Sequence, residues 1–549
     1  MLGMLGRAKI ALLAALMAAG AAHAQTDPGS LERTVPELPA DAPVARQPSI
    51  ETPDLPARSG TRIAESFTLS AVVIEGATAF SASELAQSFE PYLAGRVGQA
   101  ELDQIAANIT ERYRQAGYLL SYAVIPEQEV QSGIVRIRVI EGFVGNVRLV
   151  GNARAAKAVS GIFAGLARER PLRLKSLERA ISLAREVPGV TLGEVRIGRS
   201  AVNTASHRLT ISVGANRYRA LTYVDNRGTV ENARLRSFSS FNLASLVVPG
   251  DQLQVDLFAI PYSRFRYLYG QVKGSVPLNS EGLRLSASAS FGDHFQRVAG
   301  PNLHGDSRQL AAEISYPIVK RRSASLSGHV QLADWSSEQR EAGDLILRDR
   351  FQVARAWTEF RHGTAVRLDG KIGISQGLDL GNATEKGDPL SSRLLGSASF
   401  TKFNAAVQVT SQLSKQIRLR LESAAQYSTK PLLAPEEFAL GGSRIGRAFD
   451  FNEATGDHGI GAMVELGYRL DTAKRNFRFV DFFAFIDGGG AFRDRSQPGL
   501  PKQQWLASVG GGTRVSALGV YWSAEIGVPI AQRGGEGGPR VFFSAIKAF

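Results

Sequence analysis

The feature that most constrains the fold is a long C-terminal region, residues 216–549, in which apolar and polar residues alternate in segment after segment. A period of two puts apolar side chains on one face of a β-strand and polar ones on the other. In one such segment the apolar face consists of Leu283, Leu285, Ala287, Ala289 and Phe291. Turn residues (Gly, Pro, Asn and Asp) separate about 16 such candidates, so the region predicts a domain built of β-strands.

Several of these strands run beyond the ~5–6 residues usual in soluble proteins and approach the ~9–11 that cross a bilayer when tilted. A half-buried sheet in a soluble protein alternates in the same way, so a single segment decides nothing. An even number of long strands with alternating short and long connections is typical of an outer-membrane barrel. Because backbone groups that face lipid have no water to pair with, only a closed barrel satisfies them. We therefore predict a transmembrane β-barrel over residues 215–549.

The N-terminus is typical of a secretory signal. Arg7 and Lys9 precede an apolar run at residues 10–19, and small residues surround Ala24. The run is shorter than the ~20 residues that span a bilayer, so an anchoring helix is the weaker interpretation. We predict a signal peptide over residues 1–24, cleaved after Ala24, and no membrane helix after it.

Two similar units are expected between the signal and the barrel. Residues 25–66 are rich in proline and charge and cannot bury enough apolar area to order themselves, so they predict a linker or a plug segment. Residues 67–142 follow the order β-α-α-β-β, and residues 143–214 repeat it. The sequence therefore predicts a tandem pair of small α+β domains.

Composition and motifs argue against nucleic-acid binding and against catalysis. The chain has a net charge of +13, but its basic residues are dispersed and it is exported, so we expect no nucleic-acid partner. It has no cysteine, which excludes disulfides and cysteine metal sites. The segment Gly373–Gly377 matches G-x-S-x-G but lies in an alternating strand, whereas a nucleophile elbow needs a strand-to-helix turn. Neither H-E-x-x-H nor a phosphate-binding loop occurs. We expect no enzyme activity, no cofactor and no metal.

Three motifs carry a resemblance to a known family. They are YVDNRG at residues 223–228, FALGGSRIGRAFD at residues 438–450 and FIDGG at residues 485–489. Together with the domain order, they resemble the two-partner secretion pore family, also called hemolysin secretion/activation proteins. The resemblance covers nearly the whole mature chain. It implies α+β periplasmic POTRA domains followed by an all-β, 16-stranded transmembrane β-barrel in the outer membrane.

The resemblance also implies the site residues. In a loop that folds back into the lumen, they are Arg447, Phe449 and Asp450. In the barrel wall they are Asp487 and Gly489, and in the first strand they are Asp225, Asn226 and Gly228. The guanidinium of Arg447 inside the lumen needs a hydrogen-bond acceptor. We predict that the carboxylate of Asp487 is this acceptor, with Asp450 as a second candidate. An exposed Arg447 and an ordinary hairpin turn at residues 225–228 are the alternatives.

The loop motif departs from the family's usual Val-Arg-Gly-Phe. Gly446 stands in place of the valine and Ala448 in place of the glycine. Alanine adopts positive φ less readily than glycine, so the conformation of the loop tip is left open.

The function implied is export of a secreted partner protein that carries an N-terminal secretion domain. The POTRA domains would bind the unfolded partner at a sheet edge, for which we predict Leu119, Tyr122, Ala123, Val124 and Ile125. Phe549 would be the C-terminal insertion signal read by the barrel assembly machinery, with outer-membrane lipid around the barrel. A barrel assembly factor is the alternative, and a passive porin is disfavoured because porins lack the N-terminal units.

Overall fold

The structure is a computed structural model that describes residues 50–51, 66–130, 132–200, 203–228, 234–261, 265–297, 302–474, 476–494, 500–532 and 538–549. The predicted signal peptide, its cleavage site and nearly all of the predicted linker lie outside the described residues. The linker contributes one short strand, β1 (Ile50–Glu51).

The first N-terminal unit packs two helices on a small sheet. The helices are α1 (Ala82–Ala86) and α2 (Gln99–Gln115), with a 3-10 turn at Glu90–Tyr92. The strands are β2 (Phe67–Thr68), β3 (Ala71–Glu75), β4 (Arg96–Val97), β5 (Tyr122–Val124) and β6 (Ile134–Ile140). In the main sheet, β6 lies between a parallel β3 and an antiparallel β5, so β5 is an edge strand.

Helix α2 contributes more residues to the core of this unit than any other element. Its buried residues are Leu102, Ile105, Ala106, Ile109 and Tyr113. Spacings of three and four residues put these side chains on one face of the helix, against the sheet. Full burial of one large apolar side chain stabilises the fold by roughly 1.5–3 kcal/mol, so this face holds helix and sheet together.

The second unit repeats this architecture. Its helices are α3 (Ala153–Ala164) and α4 (Leu174–Glu186), with a 3-10 turn at Gly165–Arg168, and its strands are β7 (Phe143–Gly151), β8 (Val190–Arg199) and β9 (Ser206–Ala215). The sheet order is β1-β8-β9-β7, so the linker strand β1 pairs in parallel with the edge of β8. Within the described part of the chain, no helix has the length and apolar character needed to span a membrane.

The remaining strands form a closed antiparallel barrel. They are β10 (Tyr218–Asp225), β11 (Arg236–Ala244), β12 (Gln252–Pro261), β13 (Phe265–Pro277), β14 (Arg284–Gln296), β15 (Leu303–Lys320), β16 (Ala324–Glu341), β17 (Asp344–His362), β18 (Val366–Leu378), β19 (Thr401–Gln412), β20 (Ile417–Ser428), β23 (His458–Lys474), β24 (Phe477–Phe492), β25 (Gln503–Ala517), β26 (Val520–Gln532) and β27 (Arg540–Ala548). A 3-10 turn (Ala434–Glu436) and a small hairpin of β21 (Phe438–Leu440) and β22 (Ala454–Gly456) lie between β20 and β23. The predicted fold class, with its 16-stranded barrel, is confirmed.

The barrel wall alternates as the sequence predicts. On β15, Leu310 and Ile314 are 62% and 49% exposed on the outside, whereas Glu313 between them faces inward and pairs with Lys273 at 3.2 Å. The exposed apolar residues form the surface that lipid covers. Polar side chains such as Glu313 and Lys273 line the lumen.

Two segments whose sequence predicts one strand each, residues 67–74 and residues 119–125, form shorter strands in the structure. The segment at residues 67–74 is divided into β2 and β3, because the N–H of Leu69 turns aside to the carbonyl of Gly95 at 3.0 Å. The segment at residues 119–125 is a strand only at β5. Leu120 is drawn into the core of the second unit, and Ser121 accepts a hydrogen bond from the N–H of Gly142 at 3.1 Å.

The second unit is attached to the turns at one end of the barrel. Arg179 on α4 donates to the carbonyl of Pro317 at 3.0 Å, and Lys320 pairs with Glu186 at 2.7 Å. Arg154 at the start of α3 donates to the carbonyl of Leu246 at 2.8 Å. These contacts place the N-terminal units at the end where β10 enters the barrel, so the long connections open at the opposite end.

Candidate functional site

A loop that folds back into the barrel forms the candidate site. This lumen loop (residues 429–457) joins β20 to β23 and contains the β21–β22 hairpin. Its apolar residues Phe438, Leu440, Ile445, Ala448, Phe449 and Ala454 pack against Met463, Ala491 and Leu506 of the inner wall. The loop tip therefore lies inside the lumen, against strands β23 to β26.

Arg447 at the loop tip is 4% exposed and contacts two carboxylates. Its Nη1 donates to Glu465 on β23 at 2.7 Å, and its Nη2 donates to Glu525 on β26. Arg514 on β25 also pairs with Glu465, at 2.7 Å. Guanidinium groups and carboxylates thus alternate across three strands, and each buried charge has a partner of opposite sign.

The structure corrects the predicted pairing between the Arg447 guanidinium and Asp487. The Asp487 carboxylate accepts the backbone N–H of Arg447 at 3.1 Å, and it also accepts the hydroxyl of Ser508. The loop backbone lies at the level of Asp487, and the long arginine side chain carries its charge further along the wall. There Glu465, which stands opposite Phe485 in the β23–β24 ladder, is within reach.

Aromatic rings and glycines shape the wall under Arg447. The guanidinium lies 3.8 Å from the ring centroid of Phe485, a cation–π geometry. A side chain at Gly510 would reach the ring of Phe485 within 2.5 Å, and one at Gly527 would reach Ala448 at 3.1 Å. The glycine at position 510 thus leaves space for the ring of Phe485, and the glycine at position 527 leaves space for the loop tip.

The structure shows the conformation of the loop tip, which the sequence left open. The residue in the left-handed region is Gly446, with φ of +84°, and Ala448 is not among the residues with positive φ. A Cβ at Gly446 would also meet the backbone nitrogen of Gly441 at 2.9 Å. The glycine therefore stands where the turn requires it, and Ala448 fills the space over Gly527.

The other predicted residues of the loop and the wall have structural contacts of their own. Phe449 is 3% exposed within the apolar cluster of the loop. Asp450 does not contact the Arg447 guanidinium, because it pairs with Arg540 on β27 at 2.6 Å. A Cβ at Gly489 would lie 2.3 Å from the carbonyl of Ile460, so glycine is needed for the strands to approach.

Asp225 closes the first barrel strand from within. It is 2% exposed and receives two hydrogen bonds from Arg236, at 2.7 and 2.5 Å. The hydroxyl of Tyr223 and the N–H of Arg227 also donate to it, at 2.6 and 3.0 Å. This carboxylate therefore fixes the end of β10 and the turn that follows.

The rest of this motif joins β10 to the last strand and to the lumen loop. The Asn226 amide donates to the carbonyl of Val541 at 3.0 Å and accepts from the N–H of Phe543 at 2.7 Å. Arg227 donates to the carbonyl of Arg447 at 3.1 Å, and it also pairs with Glu525. The N–H of Gly228 donates to the carbonyl of Arg234 at 2.8 Å. The motif thus fixes the end of β10 and also contacts the lumen loop.

Four charged residues of the site were missed at the sequence level: Arg227, Glu465, Arg514 and Glu525. Glu465 and Glu525 occupy polar positions opposite the apolar faces of their strands, so their lumenal direction was available from the sequence. Every strand carries such positions, however. Only the closed barrel shows which of them surround the loop tip.

The predicted cargo edge is partly occupied by the protein itself. The backbone N–H of Ala123 donates to the hydroxyl of Thr110 on α2 at 3.0 Å. Tyr122 and Ile125 are buried, at 4% and 1% exposed, and Leu119 and Val124 are half-buried. The edge strand β5 therefore offers a short pairing surface beside α2.

At the C-terminus, Phe549 is 67% exposed on the outside of the barrel. Its backbone N–H donates to the carbonyl of Ala220 on β10 at 2.8 Å. The last residue therefore extends the ladder that joins the final strand to the first.

The structure places the G-x-S-x-G match near the end of β18, where Ser375 is paired with Arg355 in the ladder and no helix follows before β19. No group of three or more His, Asp or Glu side chains arranged for a metal ion occurs among the described residues.

A closed barrel, a loop clasped to its inner wall and N-terminal α+β units define the class of POTRA-barrel transporters of the outer membrane. The chain belongs to the haemolysin secretion/activation protein family ShlB/FhaC/HecB, whose model matches residues 208–515, and a ShlB-type POTRA domain matches residues 67–142. It is a two-partner secretion transporter that exports a partner protein, with its barrel in the outer membrane and its POTRA domains in the periplasm.

Among its relatives, the Heme/hemopexin transporter protein HuxB of Haemophilus influenzae is 24% identical over 458 residues, which cover 80% of this chain and 79% of that protein. The solved structure of CdiB from Escherichia coli has a TM-score of 0.74 at 17% identity and covers 98% of both chains. CdiB from Acinetobacter baumannii has a TM-score of 0.65 at 17% identity and covers 91% of this chain and 95% of that one. At these identities the solved structures support the fold.

Proposed function

We propose that this pore exports one large partner bearing an N-terminal secretion domain, and that the lumen loop closes the pore until the unfolded partner displaces it. The observation that carries the proposal is the buried clasp of Arg447 with Glu465 and Glu525. It holds the loop tip by side-chain ion pairs rather than by a continuous strand ladder. In a water-filled pore these charges can be rehydrated when the loop leaves.

The energetics of buried ion pairs suit such a reversible closure. An intact buried pair contributes little net stability, because the attraction mostly offsets the cost of removing both charges from water. Removal of one partner is strongly destabilising, since the other charge stays buried without compensation. A loop held in this way is specific in its closed position and still able to leave it.

The test is a secretion assay with Arg447→Ala. We expect surface export of the partner to fall at least about tenfold, because two wall carboxylates lose a shared cation and the loop loses its closed position. The amount of heat-modifiable barrel in outer-membrane fractions should be unchanged. Arg444→Ala is the matched control, since this arginine of the same loop is 42% exposed and pairs with Glu422 on β20 rather than with the carboxylates that hold Arg447.

Asp487→Ala tests the backbone contact of the same loop tip, because it removes the acceptor for the N–H of Arg447. Export at the normal level by both Arg447→Ala and Asp487→Ala would refute the role of the clasp. A loss of assembled barrel in either variant would be resolved by Arg447→Lys, which keeps the charge and should retain partial export.

We also propose that the POTRA units bind the unfolded partner by strand addition at Leu119, Tyr122, Ala123, Val124 and Ile125. The edge position of β5 in its sheet supports this proposal. Export would then draw on no reaction catalysed by this chain, and folding of the partner at the surface would supply the direction. Outer-membrane lipid and the barrel assembly machinery are the further partners that we propose.

A barrel assembly factor is the second candidate, because it would use the same architecture of POTRA units and a barrel. The tandem of two units favours secretion, since assembly factors usually carry more. The two functions differ in what deletion of the gene does. Loss of one exported protein with normal levels of other outer-membrane barrels supports secretion, and a general fall in those barrels supports assembly.

A further inference from the structure

A second loop reaches into the barrel mouth from the side opposite the POTRA units. This outer loop (residues 379–400) joins β18 to β19 and is bound to the end of β17. Thr384 exchanges hydrogen bonds with the backbone of Arg350, both at 2.8 Å, and Ser392 donates its N–H to Asp349 at 3.0 Å. The outer loop is therefore a folded part of the wall that faces the lumen loop.

Arg393 of the outer loop is almost completely buried, at 1% exposed. Its Nη1 donates to Asp457 at 2.5 Å and to the carbonyl of Leu432 at 2.7 Å, and it lies 3.0 Å from Glu437. All three partners belong to the stem of the lumen loop. Glu437 precedes the β21–β22 hairpin and Asp457 follows it, so one guanidinium joins both arms of the stem.

Apolar contacts accompany this cation. Ala398 and Phe400 of the outer loop and Leu432 and Leu433 of the lumen loop share one buried cluster with Trp335, Phe351 and neighbouring wall residues. The two loops also approach closely, because a Cβ at Gly396 would lie 2.7 Å from the carbonyl oxygen of Leu432. The stem is thus packed against the outer loop along its length.

We propose that Arg393 is a second positioning residue for the lumen loop, which holds the loop stem closed independently of the Arg447 clasp at the tip. Arg393 contacts Asp457 and Glu437 at the stem. Arg447 at the tip contacts Glu465 and Glu525 of the wall. The stem and the tip are therefore held by different cations. This inference rests on the proposed closure of the pore by the lumen loop, and it adds that the outer loop takes part in opening.

The reason lies in the two carboxylates. Asp457 is 0% and Glu437 is 6% exposed, and two buried like charges near each other are unfavourable without a cation between them. Arg493 also pairs with Glu437, at 3.0 Å, but its other side-chain contacts are to Thr455 of the lumen loop and to the carbonyl of Pro501, so it does not join the stem to the outer loop. Removal of Arg393 would leave Asp457 to regain water by moving the stem out of the mouth.

Arg393→Gln tests this without any partner protein. In planar bilayers, purified Arg393→Gln should spend at least about tenfold more time in conducting states than the unchanged protein, since loss of a buried cation favours the open stem. Cells carrying it should become sensitive to a bulky antibiotic that the outer membrane normally excludes. Lys386→Gln is the matched control, because it removes a positive charge from an exposed position of the same loop.

Two more variants separate positioning from general damage. Arg393→Lys keeps the cation, so it should stay closed for most of the time. Arg393→Gln combined with Arg447→Ala should open more than either single change if the two latches are separate. Equal conductance of Arg393→Gln, Lys386→Gln and the unchanged protein would overturn the proposal. The conductance measurement uses no partner protein, so its result does not depend on the outcome of the secretion assay.

A cysteine pair covers the case in which Arg393→Gln does not assemble. The N–H of Ala434 donates to the hydroxyl of Ser392 at 3.0 Å across the two loops, and the chain has no native cysteine. In Ser392→Cys/Ala434→Cys, oxidation should abolish conducting states, and reduction should restore them. Conductance that is the same in the oxidised, cross-linked protein would show that the loops need not separate.

Discussion

The guanidinium of Arg447 illustrates how side-chain length selects partners in a lumen. Its backbone N–H reaches Asp487, whereas its charge reaches Glu465 and Glu525 further along the wall. Because the guanidinium is planar and has several donors, it can donate to two carboxylates and still lie over the ring of Phe485. Lysine offers one charged centre and no plane, so the site favours arginine.

The glycine at position 446 gives a direct test of the loop tip. Gly446→Ala places a Cβ against Leu506 and Gly441 in a left-handed residue, and strain of this kind costs about 1–3 kcal/mol. We expect the loop of this variant to leave its closed position more often, measured as faster cleavage of the loop by an added protease. Ala448→Gly is the control, because its backbone needs no positive φ. Equal cleavage of both variants would contradict the account.

In the first POTRA unit, Glu141 gives a prediction on pH. Burial alone would raise the pKa of its carboxyl, but hydrogen bonds from the hydroxyl and N–H of Thr78, the N–H of Ala79 and the hydroxyl of Tyr113 outweigh burial and lower the pKa below its usual 4.5. A lowered pKa in the folded state stabilises the unit above pH ~4.5. That stabilisation is lost as the pH falls through the folded-state pKa.

The measurement is thermal unfolding of the segment 67–214 between pH 3 and pH 7, chosen to span that interval. The melting temperature of the unchanged segment should fall on acidification, and Glu141→Gln should melt lower at pH 7 and depend less on pH. Glu90→Gln is the control, since Glu90 lies in the exposed 3-10 turn of the same unit. An unchanged pH profile in Glu141→Gln would assign the acid sensitivity to other groups.

Among the elements, β5 illustrates how a short edge strand is shared between neighbours. It pairs with β6 on one side, while Thr110 of α2 takes the N–H of Ala123 on the other. Leu120, just before it, belongs to the core of the second unit. The element thus joins the two POTRA units, and Thr110 occupies part of the edge that strand addition would use.

Two single variants, Thr110→Val and Ala123→Pro, test strand addition at the edge of β5. Thr110→Val releases the N–H of Ala123 without a change in side-chain volume, so binding of the partner's N-terminal domain should be equal or tighter. Ala123→Pro removes that donor and should weaken binding several-fold. Binding would be measured with the segment 67–214, after circular dichroism confirms that each variant is folded. Weaker binding by both variants would point to damage of the helix contact instead.

At the scale of the whole molecule, closure of the barrel depends on the shortest ladder, between β10 and β27. It contains five residue pairs, from Leu221–Ala548 to Asp225–Ser544. Two further contacts extend it, from Asn226 at one end and Phe549 at the other. Asn226 of the first-strand motif and Phe549 therefore both lie at the seam where the first and last barrel strands pair.

Deletion of Phe549 should lower the amount of assembled barrel. It removes the hydrogen bond to Ala220 and the exposed ring at the end of the apolar face of β27. The measurement is the heat-modifiable band in outer-membrane fractions. Phe549→Tyr, which keeps an aromatic ring and the backbone contact, should assemble normally. An unchanged band after deletion would mean that the terminal strand is not the insertion signal.

The amino-acid sequence alone determined the class of fold, because period-two alternation and strand length are local properties that each segment carries. It also placed Arg447 and Asp487 together at the lumen wall through the motif resemblance. It did not determine the ion pairs. Which of many inward carboxylates meets a given cation depends on strand order and on where a long loop ends.

The tertiary structure decided three further points. It paired Arg447 with Glu465 and Glu525. It placed the positive φ of the loop tip at Gly446. It brought Arg393 of the outer loop into contact with Asp457. Each depends on contacts between residues far apart in the chain. Local pattern fixes which face of a strand a residue occupies, but only closure of the barrel and the packing of its loops bring particular faces together.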